Sequence, residues 1–221
     1  MGKITPTHFE KRQQQFLDVF RQYPDMLKLF YLTGGTALSA CYLNHRESED
    51  IDLFSEKPLD EPRILTAIGN SAVKLKAKAS YVHIHERITY DLLFQNKDKL
   101  KIDLVYYPYK HLEKTEFLNG LAIDSLVDIA VNKLLSISQR TVSKDYVDLY
   151  YLLKKYTIWD LRTGVEQKFH IDIEPVYAAS LFGKAKELTT LPIMKKTLKL
   201  EVLQKFFKDQ AVTLASKFVR A

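Results

Sequence analysis

The sequence predicts an α/β fold in which a mixed sheet with flanking helices is followed by a helical C-terminal half. Up to about residue 107, short apolar segments typical of strands alternate with segments of helical periodicity. From residue 121 onward, apolar residues recur at helical spacing. The chain has 221 residues, 46% of them hydrophobic, which is enough for one large domain or two small ones. We therefore expect an α/β domain over residues 1–120 and a helical domain over residues 121–221.

The chain is predicted to open with an amphipathic helix over residues 7–23. Phe16, Val19 and Phe20 fall near one stripe of this helix, and Pro24 marks its end. Residues 30–33 are apolar and aromatic, which favours a buried strand. We expect the helix to pack on the sheet that this strand belongs to.

A glycine pair follows the first predicted strand. Gly34 and Gly35 lack a Cβ, so the backbone there can turn sharply and come close to a ligand. Residues 36–43 then have the pattern of a short helix that begins at Thr36. The free N–H groups at the start of a helix carry a partial positive charge and suit a phosphate. A Gly-Gly turn alone is common, so the prediction depends on the residues that follow.

Two carboxylates lie in the second predicted strand, over residues 50–54. Side chains alternate along a strand, so Asp50 and Asp52 share one face and lie about 7 Å apart along it. Neighbouring like charges repel, and these two stand among apolar residues, which favours a bound cation. Mg²⁺, or Mn²⁺, prefers such oxygen ligands. The alternative is an Asp-x-Asp pair at an exposed strand end.

Further strands are predicted over residues 81–107, after a helix at residues 61–76. In the last of these strands Lys101, Asp103 and Val105 share one face. Asp103 is therefore a third strand carboxylate. The alternative is a solvated aspartate near a turn.

The second half opens with a predicted helix capped by Asp124 or Ser125. Lys133 interrupts the apolar stripe of this helix, because it lies four residues after Ile129 and four before Ile137. Taken alone, this position favours a lysine that extends its amine to solvent. The other interpretation is that the amine points at an anionic group.

Asp145 and Asp148 occupy adjacent positions on one face of the next predicted helix. The aliphatic residues beside them indicate a buried helix, so at least one carboxylate needs a cationic partner. Lys133 and Arg140 are the candidates. A salt bridge between two helices explains this pattern as well as a catalytic role does.

The order of these motifs resembles the nucleotidyltransferase superfamily, in which a Gly-Gly or Gly-Ser turn precedes a helix and Asp-x-Asp. More narrowly, it is similar to the AbiEii/MenT-type toxins of bacterial type IV toxin–antitoxin systems, over roughly residues 30–153. The matching segments are Gly34-Gly-Thr-Ala-Leu38, Arg46-x-Ser48-x-Asp50-Ile-Asp52-Leu-Phe54, Asp128-Ile-Ala-Val-Asn-Lys133 and Lys144-Asp145-Tyr-Val-Asp148-Leu149.

The resemblance implies a nucleotidyltransferase-like core and a magnesium-dependent enzyme that moves a nucleoside monophosphate from an NTP to an acceptor hydroxyl. The two halves would form the active cleft between them. Metal ligation falls to Asp50, Asp52 and Asp103 under this resemblance. Catalytic roles fall to Asp50, Asp52, Lys133 and Asp148, with Asp145 and Arg140 as further candidates. The nucleotide-binding residues would be Gly34, Gly35, Thr36, Arg46, Ser48 and Lys133.

The family's reported acceptors make the 3′ end of tRNA the leading substrate. The resemblance to toxins of toxin–antitoxin systems also implies a cognate antitoxin as a partner. A net charge of +6 and a pI of about 9.1 favour a polyanionic partner such as RNA, although many soluble proteins reach +6. A cationic face, with a merely solvated face as the alternative, is predicted from Lys195, Lys196, Lys199, Lys205, Lys208, Lys217 and Arg220.

The sequence predicts no membrane association, because its N-terminus lacks an apolar signal core and no apolar run reaches membrane-spanning length. The single Cys41 cannot form an internal disulfide and fits a reducing cytoplasm.

Three alternative functions stay open. A small-molecule nucleotidyltransferase of the aminoglycoside-modifying sort shares the core but does not need a basic surface. A non-catalytic member binds only nucleotide or RNA, and the intact Asp-x-Asp disfavours it. A protein kinase-like enzyme would transfer the γ-phosphate to a protein hydroxyl.

Overall fold

The computed structural model describes Ile4 and residues 8–218, without the side chains of residues 217 and 218. The described residues group into two compact units. The first unit is drawn from Met1–Tyr42 and Ser48–Ser125, and the second from Leu43–Glu47 and Leu126–Ala221. The short segment Leu43–Glu47 thus groups with the second unit, which no feature of the sequence indicates.

The first unit contains a seven-stranded mixed sheet, which confirms the predicted α/β fold. Its strands are β1 (Tyr31–Thr33), β2 (Ile51–Ser55), β3 (Ala77–Ile84), β4 (Arg87–Phe94), β5 (Lys99–Tyr106), β6 (Glu116–Leu118) and β7 (Leu121–Ile123). They are ordered β3-β4-β5-β2-β1-β7-β6. The pairs β1–β7 and β2–β5 are parallel, and the other neighbours are antiparallel.

The register of the central strands decides which side chains share a face. Thr33 of β1 lies opposite Asp52 of β2. Asp52 in turn lies beside Asp103 of β5. Because paired residues project to the same side of a sheet, one face carries both carboxylates on neighbouring strands.

Helices precede, connect and follow these strands. They are α1 (Lys11–Phe20), α2 (Pro24–Leu29), α3 (Gly34–Ala37) with a π-helical continuation (Leu38–Leu43), α4 (Glu61–Lys74), α5 (Leu126–Gln139), α6 (Ser143–Leu152), α7 (Ile158–Phe169), α8 (Pro175–Gly183) with a 3₁₀ turn (Lys184–Glu187), and α9 (Leu200–Phe218). None of the helices in the described part of the chain is long and apolar enough to cross a membrane.

Two predicted elements differ from the structure. The first helix ends at Phe20, and Pro24 does not stop it but begins the separate helix α2, where a missing N–H is tolerated. Residues 121–123, which were placed with the helical half, form strand β7, and the following helix begins at Leu126, directly after the predicted caps Asp124 and Ser125. Three residues are too few to show the alternation that identifies a strand.

Apolar side chains fill the interior of each unit. In the first unit, Phe16 and Phe20 of α1 are fully buried, as predicted. In the second, the rings of Tyr146 and Phe182 each lie 5.2 Å from that of Phe207, so Phe207 is an inner position of α9. The predicted cationic face is exposed at Lys195, Lys196, Lys199, Lys205 and Lys208. The side chain of Lys217 and all of Arg220 lie outside the described residues.

Candidate active site

The glycine bend after β1 stands directly against a carboxylate of β2. Gly34 has a φ of +71°, a left-handed conformation that favours glycine. A Cβ on Gly34 would lie 2.1 Å from Oδ2 of Asp52. Only a residue without a side chain fits at this position, so the bend brings bare backbone next to the Asp52 carboxylate.

The hydroxyl groups near the bend are engaged within the protein. Thr36 is 1% exposed, and its Oγ1 donates to the backbone carbonyl of Asp50 and lies 2.9 Å from Oγ of Ser48. The amide of Gln13 donates to the carbonyl of Ser48 at 2.6 Å, a contact that the sequence did not reveal. These bonds tie α1 and the bend to the segment before β2. The Thr36 side chain therefore holds the site in shape and does not project toward a ligand.

The amine of Lys101 pairs with Asp103 on this face of the sheet and lies in the field of Asp50 and Asp52. Asp103 is buried and accepts hydrogen bonds from Oγ1 of Thr89 at 2.6 Å and from Nζ of Lys101 at 2.9 Å. Burial lowers the pKa of Lys101, but the bond to Asp103 and the charges of Asp103, Asp50 and Asp52 outweigh it and raise the pKa. Sequence analysis assigned Lys101 no role, although its position two residues before Asp103 placed it on that face.

This donor set fits a hard divalent cation. Neighbouring strands are about 4.8 Å apart, so carboxylates paired in register, such as Asp52 and Asp103, can share one ion. Asp50 contributes charge from just outside β2, since the strand begins at Ile51 and not at Asp50 as predicted.

A second cluster, within the second unit, is centred on Asp148 of α6, which is fully buried. Arg46 binds it with two hydrogen bonds, from Nε at 2.6 Å and from the terminal guanidinium nitrogen at 2.8 Å. The other terminal nitrogen of Arg46 donates to the Glu47 carbonyl. Arg46 is 2% exposed. The guanidinium is thus directed to Asp148, and the phosphate contact predicted for it stays a prediction.

Lys133 completes this cluster. Its Nζ lies 2.7 Å from Asp145 and 2.7 Å from Asp148, and the residue is 7% exposed. The interpretation that Lys133 extends to solvent was wrong, because two buried carboxylates on α6 attract the amine. Arg140 binds the other oxygen of Asp145 at 2.7 Å from a half-exposed position. The salt bridge between helices that the sequence left open is therefore present.

His45 adds a neutral donor to Asp148. Its Nε2 lies 2.8 Å from an Asp148 oxygen, and Nδ1 has no hydrogen-bond partner among the described residues. Burial lowers the pKa of His45 against the opposing effect of Asp148. The ring is therefore neutral with its proton on Nε2, which leaves only an acceptor nitrogen unpaired.

The electrostatics of this cluster exclude one role for Asp148. Burial alone would raise its pKa, but Lys133 and Arg46 hold the pKa well below its ordinary value. A carboxylate with so low a pKa is a poor proton acceptor at neutral pH. Lys133, Arg46 and Arg140 all lie against the carboxylates of Asp145 and Asp148. The arrangement fixes cationic side chains in place.

The chain is similar to known proteins over most of its length. Residues 16–214 match the family model described as nucleotidyl transferase AbiEii toxin, type IV TA system. An uncharacterized protein of Aquifex aeolicus (strain VF5) is 38% identical over 144 residues, which are 60% of this chain and 61% of that protein. The chain thus spans less than two thirds of that relative.

Solved structures show the same fold. The crystal structure of JHP933 from Helicobacter pylori aligns with a TM-score of 0.56 at 19% identity, over 96% of each chain. A second H. pylori structure has a TM-score of 0.55 at 18% identity, over 96% of this chain and 98% of that one.

Proposed function

The chain belongs to the nucleotidyltransferase AbiEii toxin family of type IV toxin–antitoxin systems, and from this premise we propose that it transfers a nucleoside monophosphate from an NTP to RNA. The acceptor is the hydroxyl at the 3′ end of tRNA. The acceptor oxygen forms a bond to the α-phosphorus, the bond to pyrophosphate breaks, and the hydroxyl proton leaves to solvent. The protein acts as the toxin of the pair.

One observation carries the proposal: the contact between the glycine bend and Asp52, with Asp103 beside it on β5. Backbone that has no Cβ lets a triphosphate approach the carboxylate face closely. Without a catalytic site, a left-handed glycine pressed against a half-buried acid has no evident benefit for stability. If the turn only connected β1 to the next helix, a loop that keeps the Asp52 carboxylate away from the backbone would serve equally well.

Asp50, Asp52 and Asp103 are the residues that would hold Mg²⁺ or Mn²⁺. When bound, such an ion neutralises phosphate oxygens and orients the displacement. Lys101 keeps the buried Asp103 paired, and Thr89 fixes the orientation of that carboxylate. Gln13 and Thr36 hold the segment that carries Asp50.

In the second unit, we assign Asp148 as a positioning residue for Lys133 and Arg46. On the resemblance, we assign the phosphate contact to Lys133, which Asp145 and Asp148 hold in place. Ser48 and Arg46 keep their proposed nucleotide-binding roles on the resemblance alone. Asp145 and Arg140 serve to hold Lys133.

RNA as acceptor is supported by the charge of +6 and by the exposed lysines 195, 196, 199, 205 and 208. A tRNA substrate places the reaction in the cytoplasm. Neutralisation by a cognate antitoxin follows from the family.

Labelled nucleotides test this function. The protein is incubated with Mg²⁺, total RNA, an aminoglycoside and each NTP, labelled in turn at the α- and the γ-phosphate. We expect α-label in a tRNA-sized band and no γ-label in any product. Label on an aminoglycoside and not on RNA would favour the small-molecule enzyme. Transferred γ-label would favour a kinase-like reaction, and no transfer at all would refute the proposal.

A further inference from the structure

The face of the sheet that carries Asp52 and Asp103 continues into an aromatic row. Two residues from the Thr33–Asp52 pair, Tyr31 of β1 lies opposite Phe54 of β2, and their rings are 6.2 Å apart. Tyr31 lies beside Ala122 of β7, and Ala122 lies opposite Phe117 of β6. The row Phe117, Ala122, Tyr31 and Phe54 therefore runs beside the carboxylates on the same face.

Ala122 leaves a gap in this row. A cavity of about 570 Å³, within the range typical of ligand sites, lies over it between Phe117 and Tyr31. We call it the Ala122 pocket; its polar rim is formed by Lys28, Glu56, Lys57 and His111. Phe117 lines this cavity, and it is 69% exposed although a large aromatic side chain is usually buried.

The wall opposite Phe117 is rigidly built. Nδ1 of His111 lies 3.0 Å from buried Asp124, whose other oxygen accepts a hydrogen bond from Thr33 at 2.6 Å. The ring of His111 lies 4.4 Å from that of Tyr31. His111 is thus held in place before any ligand arrives, so a ligand that contacts it loses little affinity to side-chain ordering.

We propose that the Ala122 pocket binds a nucleotide of the acceptor RNA strand, a proposal that rests on the proposed function. An exposed aromatic ring with lysines nearby is a combination that binds single-stranded nucleic acid, because the ring stacks on a base and the lysines contact phosphates. Phe117 is the exposed ring here, since Tyr31 is only 5% exposed, and Lys28 and Lys57 are both exposed. The base stacks on Phe117 and faces His111.

The distance to Asp52 fits a nucleotide of the acceptor strand. Ala122 lies two residues along a strand and two strand spacings across the sheet from Asp52, a separation of about 12 Å. That separation corresponds to about three to four stacked nucleotides at roughly 3.4 Å each. A base in the pocket can therefore belong to a nucleotide upstream of the reacting 3′ end, and the binding experiment distinguishes it from the base of an NTP.

The experiment measures RNA binding without turnover, by fluorescence anisotropy of a short 5′-labelled single-stranded oligoribonucleotide. Phe117→Ala removes the exposed ring, and Ala122→Leu fills the gap. Tyr81→Ala is the matched control, since Tyr81 is also an exposed aromatic residue on an edge strand, β3. We expect both pocket variants to weaken RNA binding about tenfold, by the loss of one stacked base, with unchanged NTP affinity and an unaffected control.

Lys28→Met and Lys57→Met should each lower the slope of log affinity against log salt by about 0.7, one phosphate contact. The proposal is overturned if the pocket variants bind RNA like the wild type, or if Tyr81→Ala weakens RNA binding equally. It is also overturned if the variants change only NTP affinity, or if the wild type does not bind the RNA. Because binding is read without transfer, a failure of the transfer reaction and a failure of the pocket are separate results.

Discussion

Replacing Gly34 by alanine tests the contact on which the site depends. The new Cβ would lie 2.1 Å from Oδ2 of Asp52, whereas ordinary contacts begin at 3.4 Å. The carboxylate must therefore move by about 1.3 Å, or the bend must open by the same amount. A misplacement of about 1 Å at a reacting centre can lower a rate about 100-fold. We expect kcat to fall at least that far.

The same change also strains the backbone. A left-handed alanine costs about 1–2 kcal/mol of unfolding free energy relative to glycine, which urea unfolding can measure. Gly120→Ala, at a φ of +85° with only an ordinary 3.7 Å contact to Leu27, has the strain without the clash and should lose a similar stability. Comparison of the two separates strain from displacement.

The activity assay is transfer of α-labelled NTP to RNA, with Gly69→Ala as the control. Gly69 lies in α4, and a Cβ there meets nothing within 4 Å, so its activity should equal that of the wild type. If Gly34→Ala keeps more than a third of wild-type kcat while folded, the carboxylate at the bend does not take part in the reaction.

Further predictions concern the Asp148 cluster. Asp148→Asn leaves Lys133 and Arg46 buried without their carboxylate and should lower the free energy of unfolding by about 3–5 kcal/mol; a loss below 1 kcal/mol in urea unfolding would contradict the buried network. Arg140→Ala, which removes a half-exposed partner of Asp145, should lower it by less than about 1 kcal/mol, and an effect as large as that of Asp148→Asn would be inconsistent with its exposure. Because burial lowers the pKa of His45, the unfolded chain binds the proton first as pH falls, so stability should decrease between pH 7 and 5. Thermal unfolding measures this loss of stability, which should be smaller in His45→Gln than in the wild type. Equal losses in the two proteins would show that His45 does not cause it.

The carboxylate face was predictable in part. Alternation along a strand predicted which residues of each strand share a face, but only the resemblance implied that Asp103 joins Asp52, because the pairing of β2 with β5 is not local. The Asp148 cluster was less accessible. Arg46 and Asp148 are 102 positions apart, and nothing local indicates that they pair. Helical periodicity alone favoured a solvent-facing Lys133, whereas the apolar residues beside Asp145 and Asp148 correctly indicated Lys133 and Arg140 as their cationic partners.

The central claim is that Asp52 supports nucleotide transfer. Its most direct test is Asp52→Asn, which removes the charge and keeps the shape, assayed with α-labelled NTP, Mg²⁺ and RNA beside Asp209→Asn, an exposed aspartate on α9. We predict labelled RNA from the wild type and from Asp209→Asn, and a drop of at least about 100-fold for Asp52→Asn. Equal labelling by all three proteins would contradict the account.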